Sequence, residues 1–247
     1  MTELWRKKLI AFSIHIIFSA TIIGIFMIIV TQLWFPDILF ELENVWEGLQ
    51  ILIPVDAILG PILTLVLFVP GKKGLLGDII IIAIIQVLAL AYGGHNIYSQ
   101  RPAVMVFAGD RFEIIPAHKF DSEKLQMEYF EGVDVEKYPL IVYALPAQTL
   151  EEKNEFVLGN VQYQKMVERY RPVIDYKNEV SKRGLDLTKF APEKTASQQQ
   201  LMKLKEQYNN NEVLFYTLEG TTAEARILVL DSRTLKLRGY LDIDPWS

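Results

Sequence analysis

The sequence predicts a membrane protein. Its fold class is a three-helix transmembrane bundle, N terminus in and C terminus out, followed by an α+β extracytoplasmic domain with a mainly antiparallel sheet. Three observations predict this. Hydrophobic residues make up 51% of the 247, mean hydropathy is +0.19, and the excess falls in the first hundred residues as three long apolar runs. Lys and Arg occupy alternate connections between those runs. After residue 98 the pattern changes to short strand-like runs, turn residues and intervening helical stretches.

The first run, Leu9 to Trp34, has 26 residues and no Asp, Glu, Lys or Arg. The second, Ile51 to Val69, has 19 residues and one charge, Asp56. The third, Ile79 to Tyr98, has 20 and none. At a rise of about 1.5 Å per residue they reach roughly 39, 28 and 30 Å. A hydrocarbon core of about 30 Å takes the second and third directly and the first with tilt. A cleaved signal peptide does not explain the first run: its apolar stretch is too long and no small-x-small site follows it.

Orientation follows from the basic residues. Arg6, Lys7 and Lys8 mark the N-terminal tip. The connection Phe35–Gln50 carries Asp37, Glu41, Glu43 and Glu47 without a Lys or Arg, and Pro70–Asp78 carries Lys72 and Lys73. The chain therefore starts inside and ends outside, which divides it into a three-span domain, 1–98, and a periplasmic domain, 99–247. Trp34, Phe35, Tyr92 and Tyr98 are placed as an outer aromatic belt. Pro70-Gly71-Lys72-Lys73-Gly74 reads as a tight cytoplasmic turn, and it lacks the GxxxxGK[ST] pattern of a phosphate-binding loop.

Polar residues within the spans are the candidate functional groups. Asp56 is the only formal charge inside a run, and a carboxylate in lipid must face other helices or reach water. Counted from Ile51, it lies about six residues from the outer end. It admits a recognition or proton-linked role, or a structural one bonded to His15, Gln86 or nearby backbone. Pro54 and Gly60-Pro61 predict a kink, since Pro61 has no N–H to give to the preceding turn. Thr64 is positioned to bond the loosened turn. Gln86 lies near mid-membrane and is a better-placed partner for Asp56 than His15. Ser13, Ser19, Ala20 and Gly24 suggest a small-residue packing face on the first span.

Composition excludes several chemistries. The absence of cysteine excludes disulfides, thiolate zinc sites and cysteine nucleophiles. Three histidines, His15, His95 and His118, argue against a multi-histidine metal site. A net charge of −5 argues against nucleic-acid binding. An intramembrane aspartyl protease needs two carboxylates in one site, and Asp78 lies at the boundary, away from Asp56. The chain is expected to be no enzyme, with no catalytic residues, cofactor or metal.

The C-terminal domain is near neutral, with 20 basic and 23 acidic residues. Ala103–Ala108 and Arg111–Ile115 around Gly109-Asp110 read as a hairpin. Asp121–Phe130 reads as weakly helical and Leu140–Leu145 as a buried strand. Leu150–Tyr170 reads as helix, broken at Gly159-Asn160, with Thr149 and Glu152 as a capping box. Tyr176–Arg183 adds a helical turn stopped by Gly184, and residues 193–208 a polar helix. Val213–Leu218, Ala225–Leu230 and Lys236–Ile243 read as strands, with Asp231–Thr234 as the last turn. Asp110, Arg111, Asp231, Asp242 and Asp244 read as turn and strand-end residues. The domain is expected to be a binding surface.

Several segments together carry a family resemblance: Phe12-Ser13-Ile14-His15, Val55-Asp56-Ala57-Ile58-Leu59-Gly60-Pro61-Ile62-Leu63-Thr64-Leu65, the Pro70–Gly74 turn, Gln86, Ala89–Gly93, Arg101-Pro102-Ala103-Val104 and Gly109-Asp110-Arg111-Phe112-Glu113. Over residues 9 to 115 the chain resembles the type IV pilin accessory proteins of the TfpX/TfpZ family. Pro54 stands where that pattern has glycine. The resemblance implies an inner-membrane, chaperone-like accessory factor that binds and stabilises a cognate type IV pilin for pilus assembly. Its partners would be the pilin helix and head domain, other pilus assembly proteins and the membrane, with no nucleic acid. Asp56, Gly60, Pro61, Gln86 and His15 are then the candidate intramembrane or pilin-interaction residues. Lys72 and Lys73 form the candidate cytoplasmic turn, and Arg101, Pro102, Asp110, Arg111 and Phe112 the candidate domain-entry hairpin. The competing expectation is a membrane-anchored sensor or scaffold; an eight-residue tip and a nine-residue turn inside leave little for a signalling output. A glycan-transferring enzyme acting on pilin is a third, and it would need more spans or an acidic metal site.

Overall fold

The computed structural model describes residues 3–159, 162–186 and 212–245. It divides into two compact units, Met1–Ser99 and Gln100–Ser247. The predicted helix at 193–208 lies outside the described residues.

The first unit contains three helices long and apolar enough to cross a membrane: Glu3–Trp34, Val45–Leu67 and Leu75–Ser99. The first is α1 (Glu3–Ile29) continued by a π-helical turn, Val30–Trp34. It begins six residues before the apolar run because Trp5, Arg6, Lys7 and Lys8 are compatible with helix and only their side chains need water. The connection after it is not an open loop. It folds as a short α2 (Leu39–Leu42) and the first turns of α3 (Val45–Pro54). Phe35, Leu39, Leu42, Val45 and Leu49 are buried there, at spacings that keep one face inward. Asn44, at φ +49°, makes the left-handed turn between α2 and α3.

The interruption predicted at Pro54 and Pro61 takes the form of a π-helical turn, Val55–Leu59, between α3 and α4 (Gly60–Leu67). The Gly60 N–H donates to the Val55 carbonyl, five residues back. The third span is one unbroken helix, α5 (Leu75–Ser99). Gly93 admits close packing of α3: a Cβ there would stand 2.5 Å from Leu52 Cδ1. The small-residue face predicted on α1 does not form as one surface. Ser19 is buried, whereas Ser13, Ala20 and Gly24 are exposed, and a Cβ on Gly24 would meet nothing within 4 Å. The buried line of α1 instead runs through Ser19 and Val30.

The second unit is α+β around a seven-stranded sheet of order β4-β3-β1-β2-β5-β6-β7. The strands are β1 (Pro102–Ala108), β2 (Arg111–Pro116), β3 (Leu140–Ala144), β4 (Tyr170–Pro172), β5 (Val213–Glu219), β6 (Ala225–Asp231) and β7 (Leu237–Leu241). Four pairings are antiparallel, but β1–β3 and β2–β5 are parallel, so the sheet is mixed. Gly109, at φ +80°, makes the β1–β2 turn.

Val104 and Val106 of β1 pack with Val142, Leu125, Phe130, Val167 and Tyr170. Leu125 and Phe130 come from a segment predicted as helix that forms only two 3₁₀ turns, Ser122–Lys124 and Met127–Tyr129. The predicted helix 150–170 is also shorter. The Thr149 hydroxyl accepts from Glu152 N at 3.1 Å and starts α6 (Leu150–Leu158), which stops at Gly159. The chain then makes 3₁₀ turns where helix is predicted and enters β4 at Tyr170, the last residue of that predicted helix. A short α7 (Lys177–Ser181) supplies Val180, whose carbonyl accepts from the buried Tyr216 hydroxyl at 3.0 Å. Tyr143 and Tyr176 stack with ring centres 4.2 Å apart.

Candidate functional site

The three spans bring four polar side chains together inside the first unit. Asp56 lies halfway along Val45–Leu67, because that helix starts at Val45 rather than Ile51. It is therefore deeper than a count from the apolar run suggests. Asp56, Gly60, Pro61 and Thr64 are buried, and His15 and Gln86 are half-buried. Their order follows from the topology. An N-to-C helix beside a C-to-N helix matches His15 of α1 with the α4 turn holding Gly60 and Thr64, and α5 presents Gln86 to both.

The bonds form a chain. Gln86 Nε2 donates to Asp56 Oδ1 at 2.5 Å and to the Asp56 carbonyl at 3.4 Å. That carbonyl is five residues before Pro61, which has no N–H to offer it, so a side chain from another span supplies the donor. Gln86 Oε1 lies 3.0 Å from His15 Nε2, and His15 Nδ1 lies 2.6 Å from Thr64 Oγ1. Asp56 and His15 do not bond directly; Gln86 bridges the difference in depth. Thr64, expected to support the loosened turn, bonds His15 instead. Asp56 Oδ2 is buried with no hydrogen-bond partner among the described residues. Gly60 is what lets the helices close: a Cβ there would stand 2.2 Å from Gln86 Nε2 and 3.0 Å from His15 Nε2.

Beside this cluster is an apolar groove of about 720 Å³ between the N-terminal halves of α1 and α5, with His15, Thr64 and Gln86 in its wall. The two helices each pack on the second span. Beyond the His15–Gln86 bond, they meet towards their C-terminal ends, where the Trp34 and Tyr98 ring centres are 5.0 Å apart and Gly94 adjoins Phe26. The groove is the open end of that fork.

The remaining candidates serve local structure. Lys72 pairs with Asp78 at 2.5 Å, and Lys73 is exposed. Lys8 Nζ donates to the Val66 carbonyl at 3.0 Å, tying the start of α1 to the end of α4. Arg101 stands over the Tyr138 ring, and Pro102 pairs with Pro116 at the base of the hairpin. Arg111 joins Asp110 at the turn and Glu219 on β5, each at 3.0 Å, and these bonds raise its pKa. Phe112 is buried against Phe107 and Tyr216. Glu113 accepts from Gln164 Nε2 at 3.2 Å, yet burial pushes its carboxyl above the usual carboxylate range. Asp231 accepts from Arg238 and from the Thr234 and Arg233 N–H groups, which hold it well below that range. Among the described residues, no three His, Asp or Glu groups are placed to hold a metal ion.

No family model matches the chain, and no solved structure matches it. It is similar to curated proteins of Dichelobacter nodosus. It is 30% identical over 104 residues to the fimbrial assembly protein of serogroup I, covering 41% of this chain and 40% of that one. It is also 30% identical over 104 residues to the protein of serogroups C1 and C2, covering 41% of this chain and 79% of that one. With the serogroup E1 protein, identity is 24% over 246 residues, covering 95% and 94% of the two chains.

Proposed function

We propose that this chain, which belongs to the family of fimbrial assembly proteins, is a chaperone-like factor that binds a cognate fimbrial subunit, a type IV pilin, in the inner membrane and stabilises it for assembly. The observation that carries the reading is the likeness to fimbrial assembly proteins in a chain whose first unit is three membrane-length apolar helices. A subunit held in a membrane before polymerisation needs a partner that offers contacts to its apolar helix and to its head. A helical unit and an α+β unit in one chain meet both needs. The basic residues at 6–8 and 72–73 support an orientation with the N terminus in the cytoplasm and the α+β unit in the periplasm.

The role is non-catalytic. Asp56 faces the carboxamide of Gln86 rather than a second carboxylate, an arrangement that aligns helices and does not share a proton between acids. Asp56 is then a positioning residue: its carboxylate turns into the bundle and holds Gln86. The test is a pulse-chase of the membrane pool of the cognate pilin, with and without this chain. The expected result is a shortened pilin lifetime without it, restored by the intact gene. An unchanged lifetime together with normal fimbriae argues for a sensor or scaffold instead.

A further inference from the structure

The polar cluster has a direction. Gln86 turns its Nε2 to Asp56, where it meets both the carboxylate and the main-chain oxygen, so its Oε1 faces His15. His15 Nε2 must then carry the hydrogen and donate to Oε1. His15 Nδ1 bonds the Thr64 hydroxyl at 2.6 Å. These bonds use the Gln86 Nε2 and His15 Nε2 hydrogens. Thr64 Oγ1 and Gln86 Oε1, both in the groove wall, each keep a lone pair for a further donor.

The groove has the form of a helix seat. Along α1 its wall recurs at helical spacing through Ile10, Ile14 and Phe18, all more than half exposed. Along α5 it recurs through Ile79, Ala83 and Gln86. From Lys7 to Phe18 the trough runs about 16 Å, three helical turns. Ala11 on one wall and Ala83 on the other permit a close backbone approach, as small residues do between membrane helices. A lipid chain also fills an apolar trough, but at mid-depth it brings no donor to the acceptor end.

We propose that this fork seats one transmembrane helix of the fimbrial subunit, and that the Thr64–Gln86 acceptor pair recognises a hydrogen-bond donor carried by that helix near mid-membrane. The proposal rests on the pilin-binding reading above. The donor class is a hydroxyl, amide or amine side chain within an otherwise apolar segment.

The test uses the full-length protein, expressed in membranes with its cognate fimbrial subunit. A photo-crosslinking amino acid replaces Ile14 or Ala83 in the groove, or Val87 on the outward face of α5, where it is 65% exposed. Subunit adducts are expected from Ile14 and Ala83 and not from Val87. Ala83→Trp fills the trough without changing a polar residue, and it is expected to abolish the Ile14 adduct while leaving thermal unfolding unchanged. Thr64→Val keeps the shape but removes one acceptor together with its bond to His15; a loss of about 3- to 18-fold in subunit binding is expected for a single interhelical hydrogen bond to the subunit, with the Ile14 adduct retained to show that the seat still forms. Equal adducts from Val87 and Ile14, or only lipid adducts at Ile14 while the subunit still co-purifies, overturn the seat and leave the pilin-binding reading standing. Failure of the subunit to co-purify or crosslink at any position overturns both.

Discussion

Gly60→Ala tests the packing of the polar cluster most sharply. The added methyl would lie 2.2 Å from Gln86 Nε2, 2.8 Å from Gln86 Cδ and 3.0 Å from His15 Nε2. The Gln86 amide is the mobile end of its side chain and can swing away, but only by giving up its bonds to Asp56 and His15. Interhelical hydrogen bonds in membranes average about 0.6 kcal/mol and reach about 1.7. A buried acid left without its donor adds about 1–3 kcal/mol. The loss is therefore about 2–4 kcal/mol, offset by the roughly 1 kcal/mol by which Ala exceeds Gly in a helix. A net cost of about 1–3 kcal/mol should appear in thermal unfolding of the full-length protein in mild detergent. Gly24→Ala is the control, since its methyl meets nothing within 4 Å, and it should match or exceed the wild type. In a Gln86→Ala background the Gly60→Ala cost should shrink, because the side chain it displaces is gone. An unfolding temperature for Gly60→Ala equal to that of Gly24→Ala would refute the reasoning, as would a full cost that persists without Gln86.

Three further outcomes follow from the same structure. Gly93→Val drives a branched side chain into Leu52 and should cost about 1–3 kcal/mol, with part recovered by Leu52→Ala; no loss on unfolding would contradict the α3–α5 contact. Tyr216→Phe removes one of the donors to the buried Val180 carbonyl, which keeps the Arg183 N–H, and should lower stability by about 0.5–1.5 kcal/mol, read by hydrogen exchange over 173–181. Glu113 has a folded pKa raised by burial, so its contribution is fully present below the unfolded value of 4.5 and is lost as pH rises through the folded value. Glu113→Gln keeps a partner for Gln164 and should therefore unfold at a higher temperature than wild type at neutral pH, with the gain closing in acid. A gain independent of pH would assign it to some cause other than ionisation.

The spans were legible because long apolar runs and the placement of lysine and arginine are properties of composition. The depth of Asp56 was not, because it depends on where the second helix starts. Glu47 and Gln50 interrupt the apolar run before Ile51, yet Val45 and Leu49 already keep helical spacing and are buried. His15, Gln86 and Asp56 were visible as polar residues in apolar segments. Their linkage through Thr64 and Gly60 was not, since it needs the register between three helices. In the α+β unit the capping box at Thr149 and the Asp231 turn were readable as local chemistry. The stop of α6 at Gly159 is legible in Gly159-Asn160, whereas β4 is not, because Tyr170-Arg171-Pro172 is too short to show a period of two. The parallel pairings β1–β3 and β2–β5 join segments distant in sequence, and no local pattern encodes them.

The central claim, that this chain holds a fimbrial subunit in the membrane, is tested most directly by co-purification. The full-length protein is solubilised in mild detergent from membranes containing its cognate pilin, and in parallel from membranes containing a non-cognate one. Stoichiometric recovery of the cognate pilin alone is the predicted result. Recovery of neither, in several detergents and after crosslinking in the membrane, would contradict it.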